Sequence, residues 1–158
     1  MPKIAVAGHW ELEWNTPIKE AELWNLMLRD FSVNDWRMFP VTGIRQNEWR
    51  EVLLREYPDL PTLLQDAQDY THVYLEPNGG VELEEFEHPE NAMYIFGSAR
   101  FRPSSGNIRP QDKSVYIKTI QDKGLLWPTQ VLPVVLYDRL KKMGGWETPE
   151  PFFEEPWK

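Results

Sequence analysis

Apolar residues follow two different periods along this chain. Short apolar or alternating runs at 3–7, 36–41, 71–76, 92–97 and 114–119 predict five strands, the first of them buried around Ile4 and Val6. Between the runs the spacing turns helical. Ile18, Ala21, Leu23, Trp24, Met27, Leu28 and Phe31 predict a helix over 18–31, with Pro17 at its first position and Thr16 as its cap. Residues 47–57 predict a second helix stopped by Pro58 and Pro61, and 60–67 a further short one. In the closing segment, 129–142, Val131/Val135 and Leu132/Leu136/Leu140 recur four apart and form one apolar stripe. Lys141 and Lys142 suit the negative end of that helix, and Gly144–Gly145 offers a stop. Pro133 is tolerated only in a first turn, which predicts an ordered start close to Leu132. The order β-α-β-α-β-x-β-x-β-α predicts an α/β domain with a mainly parallel sheet flanked by helices.

Composition narrows the function more than the fold. A chain of 158 residues is long enough to bury one core without cross-links. Residues 1–146 are expected to form a single domain. Beyond it, 147–158 is an acidic tail with prolines and the aromatics Phe152, Phe153 and Trp157, and it cannot continue a regular element. The absence of cysteine excludes disulfides, thiolate catalysis and zinc–thiolate sites. His9, His72 and His88 lie far apart without ligand spacing, so no metal is expected. No apolar run approaches the roughly 20 residues of a membrane span. The first residues lack the apolar core of a signal peptide, which makes a cytoplasmic location the expectation. The formal charge of −8 is unevenly spread. Residues 100–142 hold nine basic residues against three acidic ones, a net of +6, which leaves −14 for the rest. A cationic segment on an acidic body steers a phosphate backbone locally; the plainer alternative is a solvated surface.

The last third carries the candidate chemistry. Gly97 ends one apolar strand, and an elbow, Gly124-Leu125-Leu126-Trp127-Pro128, follows the next. Both leave main-chain groups room to face a small planar ligand, and neither supplies an obvious nucleophile. That pattern favours cofactor binding over hydrolysis.

As a unit, residues 71–142 resemble the cofactor half of the SPOUT methyltransferases, whose C-terminal part is a deep trefoil knot. Ala92-Met93-Tyr94-Ile95-Phe96-Gly97-Ser98 resembles their apolar strand ending in Phe/Gly. Val115-Tyr116-Ile117-Lys118-Thr119 is similar to the strand that usually ends Ile-Pro-Met. Leu125 through Leu140 resembles the loop and helix that close the knot. The length matches the minimal members, such as the small tRNA wobble-position 2′-O-methyltransferases. The resemblance implies a S-adenosylmethionine cofactor held bent through backbone groups, an RNA substrate, and a homodimer packed through the closing helix. Asn15-Thr16 matches the asparagine that opens the family's first motif. The chain also departs from the pattern. Ala21 stands where the family has an arginine, Ala99-Arg100 where a glutamate follows the glycine, and Leu126-Trp127-Pro128-Thr129 where a Ser/Asn pair precedes the last helix.

On this resemblance, Gly97 admits the adenosine; the alternative is an ordinary strand-to-loop glycine. Leu75, Ile117, Leu125 and Leu126 wall the adenine, with Lys118 beside them. Glu76 accepts from ribose hydroxyls, or else caps the turn Pro77-Asn78-Gly79-Gly80. Gln130 caps the final helix or contacts the methionine moiety. Arg100, Arg102 and Arg109 are the expected phosphate contacts, since guanidinium groups bind phosphate bidentately. His9, at the end of the first strand, and Arg29, farther down the first helix than the missing arginine, are the candidates for catalysis. Two alternatives remain: a non-catalytic knotted cofactor- or RNA-binding protein, and a small module whose acidic, aromatic tail docks a protein.

Overall fold

A computed structural model describes residues 2–10, 17–40, 52, 54–98, 101–123 and 126–146, with the side chains of 17, 18, 122 and 123 excepted. The chain runs through β1 (Ile4–His9), α1 (Pro17–Asp30), β2 (Trp36–Phe39), β3 (Leu54–Glu56), α2 (Leu60–Gln65), β4 (Thr71–Leu75) and β5 (Val81–Glu82). A single 3-10 turn, Leu83–Glu85, follows. Then come β6 (Ala92–Phe96), β7 (Lys113–Tyr116), the short pair β8 (Lys118–Thr119) and β9 (Asp122–Lys123), and α3 (Pro128–Met143). Seven strands form one sheet in the order β3-β2-β1-β6-β4-β7-β5, and every neighbouring pair is parallel. The mainly parallel α/β fold is as the sequence predicts.

Alternation along the strands divides the core in two. Ile4, Val6, Tyr94, Phe96, Val73 and Leu75 face a large cluster with α1 and α3, where Trp24 stacks near Trp36 and meets Phe96 edge-on. Ala5, Ala7, Met93, Ile95 and Tyr74 face a smaller cluster with Leu60, Leu63 and Leu64 of α2. β6, unbroken in burial because it is covered on both faces, pairs with β1 on one side and β4 on the other.

Three predicted elements change. Residues 54–56 form an edge strand parallel to β2 (Trp36 opposite Leu54), not the end of a helix; 47–51 and 53 lie outside the described residues. Sheet-edge hydrogen bonds and the burial of Val52 and Leu54 outweigh helix propensity there. The run at 114–119 ends as a strand at Tyr116, and Lys118–Thr119 turns away to pair antiparallel with Asp122–Lys123. The last helix starts at Pro128, ahead of the predicted Leu132, and carries Pro133 inside it. Gln130 Oε1 accepts the Trp127 N–H at 2.8 Å and fixes the first turn, so Pro133 forfeits only one intrahelical bond. Val41, the Thr16 cap, the Asn15-Thr16 match and the 147–158 tail lie outside the described residues.

The apolar stripe of α3 is mostly used within the chain: Leu132, Val135 and Leu136 are fully buried, whereas Leu140 is exposed. Below the stripe, a polar cluster fastens the helix to the segment before β6. Buried Arg139 donates to the carbonyls of Pro89 (2.6 Å) and Glu90 (2.8 Å) and to the Tyr94 hydroxyl (2.9 Å). Tyr94, its phenol pushed up to about 12 chiefly by burial, donates to His88 Nδ1 at 2.7 Å, and His88 Nε2 donates to Asp138 at 2.7 Å. Lys142 closes the cluster on Asp138 and on the carbonyls of Leu83 and Phe86.

Candidate functional site

The carboxyl ends of β4, β6 and β7 open into a cavity of about 540 Å³, walled by residues 75–78, 96–98, 101–103, 115–117, 126–128 and 131. Parallel α/β sheets bind ligands at this edge, where the strands stop and their loops diverge. Leu75, Phe96, Val115, Ile117, Leu126 and Val131 give it an apolar lining, and Asn78, Ser98 and Arg102 supply polar atoms at its margins.

Glycine matters here because two loops cross strands closely. A Cβ on Gly97 would collide with the Phe101 carbonyl oxygen and sit 2.6 Å from the Pro103 ring. Phe101 and Pro103 lie directly over Gly97, and Ser98 and Phe101 exchange backbone hydrogen bonds. Gly97 therefore lets the cavity's own wall pack against the strand end. A Cβ on Gly79 would likewise strike the Val115 backbone where the loop after β4 lies on β7.

Glu76 is buried and occupied. Its Oε1 accepts the Ser104 N–H at 3.0 Å, and its Oε2 accepts the hydroxyls of Ser104 at 2.8 Å and Ser114 at 3.2 Å. It ties the 101–105 loop to β4 and β7, so it shapes the cavity instead of presenting two vacant oxygens to a ribose. Arg102 Nε stands 3.6 Å from Glu76 Oε2, with its side chain 55% exposed at the rim.

The structure brings Leu75, Glu76, Gly97, Ile117, Leu126 and Arg102 together around the cavity. It separates others. Gln130 caps α3. Lys118 is exposed on the hairpin and does not line the cavity. Arg109 lies away from the cavity, bound to Asp112 (Nη2 at 2.8 Å) and to the carbonyls of Gln68 and Tyr70, locking the loop before β7. Arg29 sits in the last turn of α1, against Asp30. α1 runs back from the carboxyl edge of β1 to the start of β2, so Arg29 lies at the opposite edge of the sheet from the cavity. Arg100 and Leu125 lie outside the described residues.

His9 ends β1 at the carboxyl edge. Its ring stacks on Phe101, with centroids 4.6 Å apart and planes 10° apart, and both rings meet Phe39 edge-on at 5.4 Å. These rings line a second, more open cavity of about 620 Å³, lined also by Pro58, Asp59, Leu60 and Pro61. Phe101 and Arg102 belong to both cavities and form the wall between them. Sequence reasoning missed Phe101, Phe39 and the Ser104–Glu76 bond. An aromatic residue four positions after Gly97, in an otherwise polar loop, is the signal that could have found the first. Among the described residues no group of His, Asp or Glu is placed to hold a metal ion, and no helix is long and apolar enough to cross a membrane.

No family model matches the chain, and no curated protein matches it in sequence. Solved structures match its fold. The SpoU methyltransferase AviRb from Streptomyces viridochromogenes, in complex with the cofactor AdoMet, superposes with a TM-score of 0.70 at 9% identity, over 89% of this chain and 58% of that one. A structure determined for the 2-OH methylation of C/U34 on tRNA gives a TM-score of 0.70 at 12% identity, over 92% and 93%. The A. aeolicus TrmH/SpoU tRNA modifying enzyme gives 0.67 at 12%, over 96% and 84%. The chain has the SpoU/TrmH methyltransferase fold, as the sequence resemblance implies.

Proposed function

We propose that this chain is a S-adenosylmethionine-dependent RNA methyltransferase acting on a ribose 2′-hydroxyl of tRNA or rRNA. The observation that carries the reading is the apolar cavity at the carboxyl ends of β4, β6 and β7, in a fold shared with SpoU/TrmH methyltransferases. Its volume lies within the roughly 300–1,000 Å³ of small-molecule sites. Its apolar walls and loop main chain suit an adenosine, and its polar margins suit the amino-acid end. When bound, the cofactor supplies a methyl group activated by the sulfonium.

The chain's own residues bind and orient. Leu75, Ile117 and Leu126 enclose the adenine, and Leu125, outside the described residues, is assigned the same role. Glu76 holds the 101–105 loop in place through Ser104. Arg102 offers a guanidinium to an RNA phosphate, and Arg100, outside the described residues, is assigned the same role. Closing out water and fixing the geometry supply the orientational part of catalysis. We assign His9, whose ring stacks on Phe101, as the imidazole that takes up the hydroxyl proton.

Three finer features belong to the same reading. The chain from β6 crosses β4 to reach β7, and α3 then returns against α1, a path suited to a trefoil knot. A homodimer forms through the side of α3 that one chain leaves uncovered, where Val134 and Tyr137 are exposed, with Leu23 and Leu26 of α1. An RNA substrate suits a cytoplasmic location. One observation favours the non-catalytic alternative: Ala21, where the family has its arginine, is completely buried in the core, so no long basic side chain fits there.

Calorimetric titration with S-adenosylmethionine tests the reading. One site per chain is expected, and Leu126→Trp should abolish it by filling the cavity. A flat titration of wild-type protein at millimolar cofactor would overturn the proposal.

A further inference from the structure

We propose that the second cavity receives the unstacked base of the acceptor nucleotide, placing that nucleotide's ribose at the Phe101–Arg102 wall shared with the first cavity. The inference rests on the reading of the first cavity as the cofactor site. Its own support is separate. His9, Phe39 and Phe101 form an aromatic cluster, and Pro58 and Pro61 line the same cavity with it. Flat, ring-lined clefts suit a π-face, and proteins that act on structured RNA splay single nucleotides out into them.

Charge narrows the occupant further. Arg102 stands at the inner wall and attracts phosphate or a base carbonyl. Asp59 lines the same cavity and is exposed, its Oδ1 accepting the Thr62 N–H at 2.8 Å. An exposed carboxylate there disfavours a bare anion and suits the amino edge of a base. A nucleotide satisfies both charges at once, and stacks as well. Continuity matters equally: a ligand seated between Phe101 and Pro61 reaches the cofactor cavity across one side chain. The acceptor site is therefore built from the ends of β1 and β2, and the donor site from β4, β6 and β7.

Ser105 lines only the second cavity and is exposed, so its side chain can be enlarged without disturbing the core. Ser105→Trp plugs the cavity from one side, and exposed Pro58→Trp provides an independent plug from the other. The probe is a short, fluorescein-labelled, mixed-sequence single-stranded oligoribonucleotide, with binding read by anisotropy at several salt concentrations. Each folded plug variant should lose at least about fivefold in RNA affinity, the loss of one base stack, with the salt slope unchanged because phosphate contacts remain. Cofactor affinity should stay at the wild-type value. Leu126→Trp should show the converse, losing cofactor and keeping RNA. Wild-type affinity for RNA in both plug variants, or no RNA binding by the wild-type chain, overturns the inference; the first of these results would leave the cavity to a peptide. If the wild-type chain binds no cofactor, the methyltransferase reading fails, and the plug variants still decide whether this cavity holds RNA.

Discussion

Gly97 shows how a residue's place can be legible in a sequence while its tightest neighbour is not. Its position at the strand end is plain in the apolar run 92–97, but the group that needs the missing Cβ is the Phe101 carbonyl, four residues on. Loop conformation of that kind leaves no periodic trace in a sequence. Gly97→Ala should therefore displace Phe101 and Pro103 and cost about 1–3 kcal/mol of stability, as overpacking does, while also weakening cofactor binding. Urea denaturation checks the first effect, and an unchanged midpoint would contradict it. Arg109 teaches the complementary lesson. In a polar loop it reads as a phosphate contact, yet Asp112, three residues on, was visible as a partner, and the carbonyls of Gln68 and Tyr70 complete its shell. Glu76 was legible as a site residue but not as a strut, since its partner Ser104 lies 28 residues away.

Elements were legible where burial is two-sided or strongly periodic. β1, β4 and β6 follow their apolar runs because central parallel strands are covered on both faces. β3 was hidden because an edge strand with exposed Arg55 and Glu56 carries no apolar pattern. α3 was found, though its start was set by Gln130 capping Trp127, which outweighed the penalty of Pro133. The polar cluster that anchors this helix gives it a pH dependence. Burial holds His88 below the ordinary imidazole value of about 6.5, with Asp138 opposing and Arg139 and Lys142 reinforcing the shift; burial lowers His72 in the same way. The unfolded chain therefore takes up protons first as pH falls. This contribution is complete above about pH 6.5 and declines as pH drops below it towards the folded-state values. Asp35 and Asp112, held below the usual carboxylate range despite their burial by Arg37 and Arg109, lose their contributions only at more acid pH. Denaturant midpoints should fall between about pH 7.5 and 5.5, and His88→Gln should flatten part of that slope. A midpoint independent of pH across the window would refute the assignment.

At the scale of the molecule, the sheet order β2-β1-β6-β4-β7 brings three strand ends into one cavity and two others into its neighbour. The basic segment 100–142 contains the rim arginine and the closing helix, on a chain whose net charge is −8. Local attraction of an anion, not general polyanion affinity, is what such a distribution gives. If α1 and α3 form the dimer face, Tyr137→Glu should shift sedimentation from dimer to monomer at micromolar protein with little change in stability, because Tyr137 is exposed in the single chain. A dimer unaffected by Tyr137→Glu would place the interface elsewhere.

Transfer of the labelled methyl group of S-adenosylmethionine to RNA is the most direct measurement of all. Wild-type protein incubated with total RNA should yield label that appears as a 2′-O-methylnucleoside after digestion, and Leu126→Trp should yield none. Folded, cofactor-binding wild-type protein that transfers no label to RNA would contradict the account and leave a binding protein on a methyltransferase fold.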